Sequence, residues 1–247
     1  MSILIKPAYD ADASTYFTTA GVTSVAGRQQ ISRFVTGIKD LGLWNDMVCW
    51  PLRSSQNAGT GTTAYSLGGL ITKNGTLTNG PTWGADGIVF DGANDYIDVP
   101  FTEKSGYTTH NFGVIASMPT PTGSRIAMQA GGPWVGTLFS ALTPIASEDG
   151  NRFEASSYTA NTYFLIVYDK IVGSFSGYYN GSSLGTASGS VTLNSSPILI
   201  GAYATNLLFW SGTISFAHLF NKSLTAGENL SFYTLYKTTL GQGLGLP

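Results

Sequence analysis

Charge is scarce in this 247-residue chain: Asp, Glu, Lys and Arg together make up 11% of it, and the formal net charge is −2. No run of lysine or arginine occurs, so the chain lacks the footprint that neutralises a row of phosphates, and nucleic acid is not an expected partner. No apolar run approaches the ~20 residues that cross a bilayer, and no basic amphipathic stretch offers a surface anchor. The expectation is a soluble chain with no membrane partner. Cysteine is limited to Cys49, which cannot close an internal disulfide, so the core must hold the chain together. With Val48 and Trp50 beside it and no neighbouring base, Cys49 reads as a packed thiol rather than a nucleophile. The first residues lack the charged, then apolar, then small order of a secretory signal. Internal repeats and low-complexity linkers are lacking too.

What the chain has in quantity is aromatic residues, 13% of the total, with 31 glycines and many Ser and Thr. That mixture favours strands and turns over helices. From Pro51 to Leu219 short apolar runs alternate with turn residues. Val48 to Leu52 reads as a strand. Phe164-Leu165-Ile166-Val167-Tyr168 is nearly continuous apolar, as a strand buried on both faces should be. Asn74-Gly75 and Asn180-Gly181 carry the dipeptide favoured in two-residue hairpins that need positive φ. Trp44, Trp50 and Trp83 are assigned to the core.

Residues 1–52 have a different grammar. Asp12 to Phe17 begins with helix-capping chemistry and Gly21 is a stop. Ile31, Phe34, Val35, Ile38 and Leu41 recur at the spacing of one helical face, between Gly27 and Gly42. This stripe needs a cover, supplied by the sandwich or by a neighbouring subunit. A last helix is expected from Thr225 to Lys237, started by a Thr225/Glu228 capping box and packed through Leu230, Tyr233, Leu235 and Tyr236. The tail from Gly241 to Pro247 is expected to fray or to dock on a partner. The organisation read from these signals is an N-terminal helical attachment or oligomerisation segment, 1–52, and a β domain, 53–247.

Two stretches fit one another across the chain: Phe90-Asp91-Gly92-Ala93-Asn94-Asp95-Tyr96, and Gly212-Thr213-Ile214 continuing to Phe220-Asn221. In order and spacing they resemble the concanavalin A-like jelly roll in its laminin-G-like branch, over roughly residues 74–236. The resemblance implies a mainly β protein, an antiparallel β-sandwich with a small N-terminal helical element and a C-terminal helix. Asp10 to Val22 and Ile31 to Trp44 further resemble segments that precede such sandwiches in tailed-phage structural proteins.

A fold of this kind serves binding, assembly and hydrolysis alike, so the chemistry must be sought residue by residue. Relatives that cleave glycans place acids on one strand face as Glu-x-Asp-x-Glu. This chain has no such triplet; Glu148, Asp149 and Glu154 come nearest, and Glu148 and Glu154 could share a face, although Gly150-Asn151 between them reads as a turn. A Ser/His/Asp centre needs a proton-shuttling histidine. His110 stands at a strand start, and His218 shares a strand face with Phe216 and Phe220, a packed position. No catalytic residue is assigned and an enzyme is not expected. Many relatives carry a rim calcium, for which Asp91, Asn94, Asp95 and Asp98 form the densest oxygen cluster; the same residues suit turn hydrogen bonds, and no metal or cofactor is assigned.

Sugar binding by such folds stacks an aromatic ring on the apolar face of a sugar. The glycan-binding candidates are Trp134, Tyr178, Tyr179, Tyr203 and Asn206, each also able to serve in the core or an interface. The reading that follows is a non-enzymatic virion structural protein, a phage fibre, spike or capsid decoration assembled in a bacterial cytoplasm. Its expected partners are other virion proteins, two further copies in a homotrimer, and host-surface glycan. The alternative is a secreted bacterial carbohydrate-binding module or glycoside hydrolase relative.

Overall fold

A computed structural model describes residues 9–119, 123–137, 143–148, 150–205 and 207–247. The chain opens with two helices, α1 (Ala11–Thr19) and α2 (Val25–Asp40). The first strands are β1 (Met47–Pro51), β2 (Thr63–Ala64), β3 (Gly75–Thr78), β4 (Thr82–Trp83), β5 (Ile88–Asp91) and β6 (Tyr96–Val99). They are followed by β7 (His110–Ser117), β8 (Arg125–Gln129), β9 (Trp134–Thr137), β10 (Pro144–Glu148) and β11 (Asn151–Glu154). The last are β12 (Phe164–Ile171), β13 (Ser174–Tyr179), β14 (Ser182–Ser188), β15 (Ile198–Ile200) and β16 (Ser211–Phe220), before the final helix α3 (Ala226–Thr238).

Among the described residues the strands form two antiparallel sheets. The first runs β14-β13-β12-β7-β16-β5-β4, with β1 also paired to β16, and the second runs β11-β10-β9-β8-β15-β6-β3-β2. The protein is thus mainly β, a sandwich with three α-helices among the described residues. Alternation along the strands sends side chains both ways from the first sheet. Phe112, Val114, Phe164, Ile166 and Tyr168 point at the second sheet and fill the inter-sheet core with Trp50, Phe90 and Trp210. Ile115, Leu165, Val167, Phe216 and Phe220 point the other way, at a second core built with Phe34, Ile38, Phe232 and Tyr236 of the helices. The first sheet is therefore the middle layer, and this is why β12 reads as continuously apolar.

The helical signals read from the sequence hold, with shifts that have physical causes. Asp10, not Asp12, caps α1, its side chain accepting from the amides of Asp12 and Ala13. Helix α2 starts earlier than expected, capped by Ser24, and Gly27 lies inside it because a Cβ there would stand 2.0 Å from the Ser55 carbonyl oxygen. The α2 stripe is covered by the chain's own first sheet, except Leu41, which caps the helix end and is exposed. The Thr225/Glu228 capping box forms as expected. Phe232 joins Tyr233 and Tyr236 in packing α3, Leu235 is partly buried, and Leu230 faces outward.

Three expectations are corrected. Asn74-Gly75 is not a hairpin turn: the Asn74 Oδ1 accepts from the Ser66 amide at 3.0 Å, and Gly75 opens β3 where a Cβ would meet Ile97 at 2.5 Å. The dipeptide at 180–181 does form the turn, both residues having positive φ (48° and 80°) between β13 and β14. The tail neither frays nor waits for a partner, because Leu244 and Leu246 pack into the helix-side core and the Tyr233 hydroxyl donates to the Pro247 carbonyl at 2.7 Å. Of the three core tryptophans only Trp50 is fully buried; Trp44 and Trp83 lie half-buried against the core edges. Within 1–52, β1 pairs along its whole length with β16, and Cys49 is buried in the helix-side core, where burial pushes its thiol pKa up.

Candidate functional site

The helices cover one outer face of the sandwich, so the exposed sheet surface belongs to the second sheet. Directly paired residues of antiparallel strands share a face. Following the pairs across this sheet gives one continuous row: Thr76 opposite Asp98, Asp98 opposite Leu199, Leu199 opposite Gln129, Gln129 opposite Trp134, Trp134 opposite Ser147, and Ser147 opposite Arg152. Their strand neighbours Ile97, Ile200, Met128, Val135 and Ala146 point inward to the core, which fixes the row as the outward side. Asp98, Gln129 and Trp134 are half-buried on it.

Over the Asp98-Leu199-Gln129 stretch of this row lies a depression of about 320 Å3, lined also by Asn194, Ser196, Tyr203 and Thr205 among others. Two loops build its wall. The first is the turn at Asn194 to Ser196, where the Asn194 side chain accepts from the Ser196 amide at 2.8 Å. Lys104, fully buried, holds this turn from beneath by donating to the carbonyls of Asn194 (2.7 Å) and Ser196. Burial lowers the Lys104 pKa to about 8. The second wall is the loop carrying Tyr203, whose amide donates to the Leu207 carbonyl at 3.2 Å. Leu207 and Leu208 are exposed, and Leu208 adopts φ 53°, a left-handed conformation that costs a branched residue roughly 1–3 kcal/mol and is concentrated at functional sites.

Asp98 is the charged group of this depression. Among the described residues its Oδ1, closed off from solvent, meets no donor, and burial pushes its pKa up. The site thus combines an aromatic ring, amide and hydroxyl groups, a carboxylate, and a second ring, Trp134, one strand over from Gln129. Such a composition has the chemistry to take a polyhydroxylated ring: aromatic faces suit its C–H side, and polar groups suit its hydroxyls.

Two of the five glycan-binding candidates, Trp134 and Tyr203, come to this face. Tyr178 and Tyr179 are placed elsewhere. Tyr178 is buried against the helix-side core, and Tyr179 turns toward the inter-sheet core with its ring 6.1 Å from Phe164. Asn206 lies outside the described residues. Asp98 and Gln129 were not singled out as sugar contacts in the sequence; the signal that finds them is the strand pairing.

The hydrolytic candidates have different partners. Glu148 and Glu154 do not share a face: Glu148 is fully buried between the sheets, whereas Glu154 is exposed on the outward side, in an ion pair with Arg152. Asp149 lies outside the described residues. The Glu148 carboxylate, which the sequence sets two residues before the expected Gly150-Asn151 turn, accepts from the Tyr168 hydroxyl, the Lys170 ammonium (3.2 Å) and the Val191 amide. It ties the second sheet to the first. Burial, then the Glu148 carboxylate, raises the Tyr168 pKa.

His218 lies in the helix-side core among Phe216, Phe220 and Phe232, as its strand position foretold. Its Nε2 pairs with Asn111 Oδ1 at 3.1 Å; Asn111 donates to Asp169, which also accepts from the Ser223 hydroxyl and the Leu224 amide. Ser223 thus donates to the acid and not to an imidazole, an arrangement that knits the first sheet to the start of α3. His110 stacks on Tyr168 at 5.6 Å. Asp91 accepts from the Ala93 and Asn94 amides, and Asp95 from the Asp91 amide, so both carboxylates act in the turn.

Burial lowers both imidazole pKa values to about 3, with the Lys170 charge adding to the effect on His110. Each ring takes a proton near 6.5 in the unfolded chain but only near 3 when folded. The stability each supplies is therefore complete above pH 6.5 and declines as pH falls toward 3. At pH 5 the decline should be about 2 kcal/mol per histidine. Urea denaturation at pH 7 and pH 5 of the wild type and of His218→Gln should show the wild type losing that much more than the variant.

No protein-family model matches the chain, and no curated protein matches it. Among solved structures it is similar to the Trypanosoma rangeli sialidase, at 14% identity and a TM-score of 0.55, over 87% of this chain and 40% of that one. It is also similar to the binding domain of botulinum neurotoxin serotype D, at 13% identity and a TM-score of 0.56, over 77% of this chain and 52% of that one. The chain thus spans about two fifths of the sialidase. At such identities the likeness is one of fold: an antiparallel two-sheet β-sandwich.

Proposed function

We propose that this protein is a non-enzymatic, lectin-like sandwich that binds sugar in the depression at Tyr203, with Trp134 extending the contact along the second sheet. The observation that carries the reading is the row Asp98-Leu199-Gln129-Trp134, which puts an unpartnered carboxylate oxygen, an amide and an indole on one open sheet face. Immobilised bacterial surface glycans should capture the full chain with affinities in the micromolar to millimolar range usual for one shallow site. An array of such glycans without any bound protein contradicts the reading.

The wider setting proposed is a structural component of a phage-like virion, a fibre, spike or capsid decoration, presenting this face to a host-surface glycan. The sequence likeness of Asp10 to Val22 and Ile31 to Trp44 to phage segments supports it. So does the outer face of the helical layer, where Leu41 and Leu230 are exposed beside a groove of about 500 Å3 between α2 and α3. That groove suits self-association into a homotrimer through the helices, leaving the sugar-binding face free. Multi-angle light scattering at micromolar concentration should then give three times the 26.1 kDa chain mass; a monomer favours the secreted carbohydrate-binding module instead.

A further inference from the structure

The charge of the depression limits which sugars it can take. Asp98 lines it, and among the described residues no lysine, arginine or histidine does. The cations built around it are engaged inward. Lys104 is fully buried, with its ammonium on the carbonyls of Asn194 and Ser196. Arg125 donates to the carbonyls of Gly92 and Phe209. A carboxylate with one oxygen already shut off from water gains from a ligand hydroxyl that donates to it. A second carboxylate brought into the same half-desolvated space repels it, because the low local dielectric strengthens like-charge interaction. The exposed Leu207 and Leu208 on the rim add apolar surface, which favours the C–H faces of uncharged sugars over a hydrated anionic group.

We infer that this site selects glycans with neutral terminal sugars and turns away sialylated and uronate-bearing termini. The inference rests on the sugar-binding reading given above.

The test uses the full chain on matched pairs of immobilised glycans, each neutral hexose or N-acetylhexosamine terminus printed beside the same glycan capped with sialic acid, with wild type and Asp98→Asn compared. Wild type should bind neutral members and bind their capped counterparts at least about tenfold more weakly, the size of one like-charge contact in partly screened surroundings. Asp98→Asn should bring the two members within about threefold of each other. Equal or tighter binding of the sialylated members overturns the inference while leaving the sugar-binding reading standing, as does a tenfold gap that Asp98→Asn leaves unchanged. Binding to neither member of any pair brings down both together. The wild-type ratio alone decides the main point should the variant fail to fold.

Discussion

Replacing Lys170 by methionine should destabilise the protein by about 3–5 kcal/mol, because it leaves the Glu148 carboxylate buried between the sheets without its cation. Both side chains are almost fully enclosed, and the ion pair joins β10 of the second sheet to β12 of the first. Tyr168 and the Val191 amide would remain as donors, but neither neutralises the charge. The double variant Glu148→Gln with Lys170→Met removes both charges and should recover a large part of the loss. Denaturant titrations of the wild type, both single variants and the double variant give the coupling directly. Equal stability of Lys170→Met and wild type would show that the pair does not bridge the layers. Such a bridge matters beyond stability, because β10 pairs with β9, which carries Trp134.

Replacing Tyr203 or Trp134 by alanine should weaken glycan capture at least tenfold, the two together abolishing it, with little change in thermal stability. Both rings are half-buried, so truncation costs less than in a core, whereas stacking on a sugar carries much of the affinity of a shallow site. Tyr179→Phe and Tyr178→Phe serve as contrasts, since neither ring shares the outward face of the second sheet. They should bind glycan as the wild type does. Loss of binding in these, with Tyr203→Ala and Trp134→Ala unaffected, would move the site to the first sheet.

Much of the architecture was written in local patterns. The Thr225/Glu228 box, the Asn180-Gly181 turn, the α2 stripe and the apolar β12 each depend on residues a few positions apart, which the chain displays directly. What depended on pairing between distant strands was harder to read. Asp98, Gln129 and Trp134 share a face only because β6, β15, β8 and β9 pair in one register, which the register shift at Ala127, between Ile126 and Met128, helps set. The Glu148 and Lys170 pair joins positions 22 residues apart across two sheets, which no local pattern displays. Lys104 escaped notice because a lysine is rarely enclosed without an acid partner; carbonyl oxygens take that role here. Asn74-Gly75 misled because glycine also serves close packing, here against Ile97.

The candidate sugar residues divided in the same way. Trp134 and Tyr203 are rings that the structure leaves half-buried at the surface. Tyr178 and Tyr179 precede the Asn180-Gly181 hairpin, and successive residues of a strand face opposite ways. One was bound to enter the helix-side core and the other the inter-sheet core, since β13 belongs to the middle layer.

The most direct measurement of the central claim is a map of amide chemical shifts of isotope-labelled protein titrated with a glycan captured on the array. Shifts clustered at Asp98, Gln129, Trp134, Asn194 to Ser196 and Tyr203 are the expected result. Saturable shifts confined to the helices or to the first sheet, with that cluster silent, would contradict it.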